Sequence, residues 1–473
     1  MSLLRFTASA DTVITNAFQR NLTTRGTGSN LGASDILETF SIFAQASSSS
    51  LEAARILIKF PTEQIQTKRD DGIVPASGSV NFFLRLFNAP HVETTPEDFT
   101  LNILPVSQSW EEGLGLDHEG FTDLTRNERG ANWIKARGSV DWATEGGDFL
   151  SAPTASQTFN SGLEDLNVDI TNIVEQWLDG TIENHGVIIK LTSSLEDSTT
   201  RSYYTKKFFA RGTEFFFKKP VIEARWDSSL KDNRGNFAVS SSLLTAEENL
   251  NTIYLYNEFR GELRNIPSVG TGTVFVNVFS ESSGLGNPLN STPITGGWVE
   301  TGIYSASFAL KTNEEVVYDV WFSGSEVYFT GTIEPKSTNA NSFRRTSRQY
   351  VTNITNLKPT YFTDENARFR LFTRRKDFEI NLFTVASSEV EGHIVEDVYY
   401  SIERIIDNEK VIPYGTGSLN HTRLSYDVSG SYFDFDMSLL EPGYMYELKF
   451  IFKNGKNFEQ FAETFKFKLE NRL

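Results

Sequence analysis

Carboxylates are the most numerous groups in this sequence that could do chemistry, and three pairs have a spacing that can be set against a mechanism. Glu111-Glu112, Asp165 with Asp169, and Asp434 with Asp436 each offer the two carboxyls that a glycosidase uses as acid and base. An acidic chain produces such pairs by composition alone. Asp434 and Asp436 also alternate with Phe433 and Phe435, which puts both on one face of a strand, where solvent is the ordinary neighbour. His91, His118, His185, His393 and His421 stand far apart and share no metal-ligand or HExxH spacing. No Gly-x-Ser-x-Gly elbow marks a serine nucleophile. The glycine-rich run Gly26–Gly32 lacks the Lys-Ser/Thr pair of a phosphate cradle, so a surface loop is expected there. Oxygen-rich segments around Asp11, Asn30 and Asp117 carry the hard ligands that calcium prefers, without the spacing of an EF-hand. The metal question stays open at this point, no catalytic residue or organic cofactor is assigned, and a non-enzyme is expected.

Composition narrows the classes further. The chain has 473 residues and no cysteine, so about three domains are expected, held by packing without disulfides or thiolate metal sites. A formal net charge of −17 argues against a general affinity for nucleic-acid backbones, which comes from Lys and Arg neutralising phosphates. Lys206-Lys207, Lys218-Lys219, Arg344-Arg345 and Arg374-Arg375-Lys376 are scattered, form no phosphate track, and are read as solvated strand ends. The first residues lack the basic flank and the apolar run of roughly 7–15 residues of a secretory signal, and nothing approaches the ~18 apolar residues of a membrane span. Synthesis in the cytoplasm without membrane insertion is therefore the expectation.

The elements that must position these residues are mostly strands. Phe contributes 38 residues and Met only 3, a bias that suits pleated surfaces. Arg55–Phe60, Val80–Phe87 and Gly186–Leu191 are short β-branched or aromatic runs bounded by polar or Gly/Pro residues. Between Leu166 and Asp179, Val168, Ile170, Ile173, Val174 and Trp177 recur at helical spacing, predicting one short helix with Asp169 or Thr171 as its cap. The polar stretch Asp227–Asn236 has almost nothing to bury and predicts a first domain boundary, and the run Pro335–Ser347 predicts a second. The fold class expected is all-β, with an N-terminal jelly-roll sandwich over residues 1–226 and immunoglobulin-like sandwiches over 237–335 and 350–473.

An ordered set of motifs over residues 8–226 resembles the DNRLRE-type jelly-roll domain of surface proteins, carbohydrate-binding modules and phage particles. Ala10–Ile14 resembles the opening strand of that family, Ala54–Phe60 its Arg-plus-apolar strand, and Leu101–Val106 followed by Trp110-Glu111-Glu112-Gly113 its strand and Trp-x-Glu-Gly turn. Val168–Trp177 and then Asn184–Ile189 resemble a family helix and the strand after it. Phe208–Glu214 and Pro220-Val221-Ile222 stand where the family ends, although the literal DNRLRE string is absent. The tail from Tyr350 onward is also similar in character to structural proteins of marine tailed phages. Arg55, Phe60 and Trp177 are expected in the core, with Trp177 plugging one mouth of the sandwich. Trp110, Trp133 and Trp142 fall in the Gly- and charge-rich region Trp110–Gly147 and are expected as exposed contacts for a glycan or a protein partner.

Two functional expectations follow. One is a bacteriophage virion structural protein of the tail, neck, baseplate or head decoration, a homo-oligomer assembled with other virion proteins and in contact with a host surface glycan. The alternative is a carbohydrate-binding or polysaccharide-cleaving surface protein.

Overall fold

A computed structural model describes residues 2–92, 95–123, 129–282, 284, 286–336, 350–376 and 392–472. Strands hold 43% of residues and helices 7%, which makes the chain nearly all-β. Arg344-Arg345 and most of the Pro335–Ser347 run lie outside the described residues. No helix among the described residues is long and apolar enough to cross a membrane. The chain divides into two compact units, Ser2–Trp226 and Asp227–Leu473.

The first unit is a sandwich of two sheets. The smaller runs Leu3–Thr7, Val221–Arg225, Asn81–Leu86 and Leu166–Asp169, all antiparallel. The larger runs Ser202–Phe209, Ile36–Phe43, Leu51–Lys59, Val187–Leu191, Phe99–Pro105 and Ala155–Phe159, and Ala10–Thr15 also pairs with Leu51–Lys59. First and last strands of the unit are neighbours, in register from Leu3 with Arg225 to Thr7 with Val221. An ion pair staples them, Arg5 Nε donating to Glu223 Oε1 at 2.9 Å. Burial pushes the Glu223 carboxyl up, but the guanidiniums of Arg5, Arg85 and Arg225 outweigh it and hold the group well below the usual carboxylate range.

The expected helix is Thr171–Leu178, with Ile173, Val174 and Trp177 buried. Its N-cap position is Ile170, which makes no side-chain cap bond, and Asp169 instead accepts from the Thr171 N–H at 2.8 Å and the Thr171 hydroxyl at 2.6 Å. One short helix is expected from the sequence, and a second of similar length, Thr62–Asp70, stands beside it. Its sequence TEQIQTKRD has a single buried apolar residue, Ile65, so no hydrophobic period announces it. A bidentate pair holds it to the first helix, with Arg69 Nη1 and Nη2 donating to Glu175 at 2.9 and 2.7 Å.

A buried lysine gives this unit a measurable pH response. Lys206 is 1% exposed, and its Nζ donates to Asn88 Oδ1 at 2.6 Å and to Gly162 O at 2.8 Å between the rings of Phe159 and Phe208. Burial pushes it down to about 8 from 10.5, against the attraction of Glu164 and Asp165. Below pH 8 the lysine is charged whether the chain is folded or unfolded, and the fold carries the desolvation cost. Between 8 and 10.5 the unfolded chain binds more protons, so stability rises with pH, by up to about 3 kcal/mol. Denaturant unfolding at pH 7.5 and 10 should show this gain in the native chain, and Lys206→Met should remove it. Equal slopes in the two proteins would rule the effect out.

The second unit holds two sandwiches. In the first, one antiparallel sheet runs Asn251–Tyr256, Ile303–Phe308, Ile294–Glu300, Thr273–Phe279, Val317–Ser323 and Glu326–Ile333. This is the Greek-key order of an immunoglobulin-like sandwich in which Ile294–Glu300 joins the two halves. A register shift between Trp298 and Glu300 breaks that strand, and a Cβ on Gly296 would stand 2.6 Å from the Ser305 carbonyl. The sheet closes around Phe237, Ile253, Val276, Tyr304 and Trp321.

The second sandwich has Tyr350–Ile354, Asn366–Arg375, Gly430–Asp436 and Ser425–Asp427 in one sheet. Thr360–Phe362, Phe465–Glu470, Met445–Asn454, Val398–Arg404 and Glu409–Ile412 form the other, where Asn457–Gln460 also pairs with Met445–Asn454. Thr360–Phe362 runs parallel to Phe465–Glu470, so the chain crosses from one sheet to the other at its first edge, as in immunoglobulin-like modules. Tyr400 and Phe433 stack at 4.2 Å in the core. Near the start of Met445–Asn454, the Tyr446 hydroxyl donates to Glu441 O at 2.6 Å, a tyrosine corner. The turn it braces contains Gly443 at φ +90, a conformation that favours glycine. Tyr446→Phe should cost about 1 kcal/mol, one buried hydrogen bond, as a lower denaturant midpoint at unchanged slope.

The two units part between Trp226 and Asp227, at the start of the polar stretch Asp227–Asn236. The stretch is a strut inside the second unit, fixed to both sandwiches by polar contacts. On one side, Arg423 pairs with Asp227 and donates to Ser229 Oγ at 3.0 Å, the Asp232 N–H donates to Tyr426 O at 3.1 Å, and Asn233 Nδ2 reaches the Tyr426 hydroxyl at 3.1 Å. On the other, Asn233 Oδ1 accepts from the Thr252 N–H at 3.0 Å, and Arg234 forks the fully buried Asp319 at 2.5 and 2.8 Å. Hydropathy misses a segment that is fixed by hydrogen bonds and ion pairs while burying little apolar area.

Candidate functional site

Trp110, Trp133 and Trp142 do not form an exposed contact surface. The outer face of the larger sheet is itself apolar, lined by Ile14, Leu57, Leu104 and Ile188, and the long loop after Phe99–Pro105 covers it. Trp133 and Trp142 are 6% and 5% exposed in that second core, and Trp110 packs against it. Two of the indole N–H groups donate to backbone, Trp110 Nε1 to His185 O at 2.8 Å and Trp142 Nε1 to Asn132 O at 2.9 Å. A Gly- and charge-rich composition suggests an exposed loop, but a sheet that is apolar on both faces needs a lid.

Arg55 lies under this lid. It donates to Glu196 at 3.2 and 2.8 Å and to Gly146 O at 2.7 Å, with its guanidinium 5.0 Å from the centre of the Trp133 ring. Lys190 Nζ brings a second cation to the same carboxylate, 2.6 Å from Glu196. Phe60 is fully buried and Trp177 is 6% exposed.

The residues considered for calcium are near one another in role but committed elsewhere. Asp11 Oδ2 accepts from the Arg211 N–H at 2.6 Å, and the Asp11 N–H donates to Glu112 Oε1 at 2.9 Å, while Arg211 Nη2 sits 2.8 Å from both oxygens of Glu112. Burial pushes the Asp11 carboxyl up to about 7, partly offset by the Arg211 backbone bond. Asn30 Nδ2 donates to Glu112 O and Ala131 O at 2.8 and 2.7 Å, and its Oδ1 accepts from Gly32 and Gly115 N–H at 3.1 and 3.0 Å. Asp117 Oδ1 accepts from Glu119 and Gly120 N–H within its own loop. Among the described residues no group of three or more His, Asp or Glu side chains is arranged to hold a metal ion.

Gly26–Gly32 is likewise not a surface loop, since Ser29 and Asn30 are fully buried and Leu31 is 1% exposed. It packs backbone against backbone with the lid, so closely that a Cβ on Gly115 would lie 1.7 Å from Asn30 O. The carboxylate pairs are spent separately: Glu112 on Arg211, Asp165 on the Asn88 N–H, Asp169 on Thr171, Asp434 on Arg368, and Asp436 on the Ser438 N–H.

Among the exposed apolar side chains, two doublets outside the strands have no counterpart in the sequence expectations. In the turn between Ser202–Phe209 and Val221–Arg225, Phe215 and Phe216 are 51% and 42% exposed, and Lys218-Lys219 follow. In the loop between Phe237 and Asn251–Tyr256, Leu243 is 92% exposed and Leu244 46%, with Glu247-Glu248 after them. The doublets Phe-Phe and Leu-Leu outside any strand pattern are the signal that identifies them.

No family model matches the chain, and no curated protein matches it. Among solved structures it is similar to the Yersinia pseudotuberculosis adhesin InvE at 12% identity over 46% of this chain and 54% of that one, with a TM-score of 0.16. The match thus spans about half the length of that adhesin. The tandem Ig repeats of Dlar match at 10% identity over 47% of this chain and 91% of theirs, TM-score 0.14. The E. coli alpha-2-macroglobulin matches at 8% identity over 97% of this chain and 28% of its own, TM-score 0.16. TM-scores this low carry no argument, and the sandwich assignment rests on strand order.

Proposed function

We propose that this chain is a structural component of a bacteriophage particle, working as a homo-oligomer among other virion proteins by presenting surfaces and not by catalysis. The observation that carries the reading is the strut Asp227–Asn236, whose ion pairs Arg423–Asp227 and Arg234–Asp319 reach both sandwiches of the second unit. A symmetric assembly needs modules that hold contact surfaces at a set spacing, and such a strut supplies that without a flexible linker. The succession of β-sandwiches and the resemblance of residues 8–226 to a jelly-roll domain of phage particles support the same reading. The carbohydrate alternative drew on Trp110, Trp133 and Trp142 as stacking platforms, and their place in the core removes those contacts. Antibodies against the protein should label intact particles, and a chain ending at Trp226 should be incorporated poorly. Recovery only from secretions of uninfected cells, with saturable binding to a purified polysaccharide, would replace this reading with the carbohydrate one.

A further inference from the structure

We propose that the acidic dileucine loop of one copy docks on the basic diphenylalanine turn of the next, an inference that rests on the reading of the chain as a self-assembling component. The loop is built to hold its shape while leaving its leucines in water. Asn249 Nδ2 donates to Ser241 O and Thr245 O at 3.0 and 2.9 Å, and its Oδ1 accepts from the Ser241 N–H at 2.7 Å. Glu248 Oε2 accepts from both the N–H and the hydroxyl of Thr245 at 3.0 Å. Ordering a loop costs conformational entropy, and here the ordered product exposes 92% of Leu243. A preformed apolar projection of this kind is what a partner meets without paying that cost again on binding.

The turn is organised in the same way. Phe215 packs edge-on against Phe209 at 5.4 Å and Phe216 against the buried Phe217 at 5.1 Å, so both exposed rings have fixed bases. Lys219 follows in the same turn, and Lys218 Nζ lies 5.2 Å from the ring centre of Phe87.

Charge selects the occupant. Copies of a chain with a net charge of −17 repel one another, so association between them needs local opposite charge beside apolar area. Leu243-Leu244 followed by Glu247-Glu248, and Phe215-Phe216 followed by Lys218-Lys219, supply that complement on one sequence. The two patches differ, so the contact is heterologous and repeats from copy to copy, closing into a ring or extending as a chain.

Sedimentation equilibrium of the full chain tests the pairing. Self-association should weaken with salt. Leu243→Asp and Phe216→Asp should each weaken it by about tenfold or more, with unchanged thermal unfolding because both residues are on the surface. Glu247→Lys should also weaken it, and adding Lys219→Glu should restore it. A chain that stays monomeric to about 100 µM, or association that ignores every variant, overturns the proposal. The two readings fail separately. Variant-sensitive association in a protein absent from particles sinks the functional reading and supports the pairing. Particle-borne protein whose association ignores the variants does the reverse.

Discussion

Arg234→Ala should destabilise the Asp227–Leu473 unit by about 3–5 kcal/mol, the cost of leaving a buried charge without its partner. Arg234 places two guanidinium nitrogens on Asp319, which is fully buried and whose Oδ2 also accepts from Trp321 Nε1 at 2.7 Å. Removing the arginine strands the carboxylate beside the central tryptophan of the core. The site is shaped for the cation, since a Cβ on Gly331 would stand 2.2 Å from Arg234 Nη1. Urea unfolding followed by tryptophan fluorescence would report the loss, with Trp298 and Trp321 as the probes in this unit. The double change Arg234→Met with Asp319→Leu should recover part of the stability, because two apolar side chains need no counter-charge, while the buried Trp321 Nε1 loses its acceptor. A loss below about 1 kcal/mol for Arg234→Ala would mean that solvent reaches Asp319 and the strut is not a buried ion pair.

Trp177→Ala should cost about 3–5 kcal/mol in the first unit, the range for truncating a large buried aromatic. The indole is 6% exposed on the inner face of Thr171–Leu178 with Ile173 and Val174. Its Nε1 is buried without a hydrogen-bond partner among the described residues, so Trp177→Phe should cost far less than Trp177→Ala: the lost N–H satisfies nothing. Trp133→Ala belongs to the same class, and its effect should appear as lost stability of the lid. Unchanged unfolding of Trp177→Ala together with lost partner binding would make the residue a recognition element instead.

Much of the architecture is legible in the sequence because strands and apolar helix faces announce themselves through hydrophobic period. Arg55–Phe60, Gly186–Leu191 and the helix around Trp177 are of this kind. The parts that are not legible are held by polar chemistry. Thr62–Asp70 depends on Arg69–Glu175, Asp227–Asn236 on Arg234–Asp319 and Tyr426, and the Gly26–Gly32 loop on the hydrogen bonds of Asn30 to Glu112 O, Ala131 O and the Gly115 N–H. None of these partners is near in sequence, and none changes hydropathy. The tryptophans of the lid mislead for a related reason: glycine and charge dominate the local composition, while the apolar surface they cover belongs to strands up to about a hundred residues away, such as Ala10–Thr15.

The pairing of Leu3–Thr7 with Val221–Arg225 also dictates the order of events on the ribosome. The first strand leaves the exit tunnel with its neighbour more than two hundred residues from being translated. Until that strand emerges, Leu3–Thr7 and Asn81–Leu86 lack the partner that lies between them, and the register that aligns Arg5 with Glu223 has no template. Closure across so long a separation is slow and keeps an apolar strand exposed to other nascent chains meanwhile. A stop codon shortly before Val221 therefore yields a polypeptide that carries nearly all of the first unit yet cannot seal it.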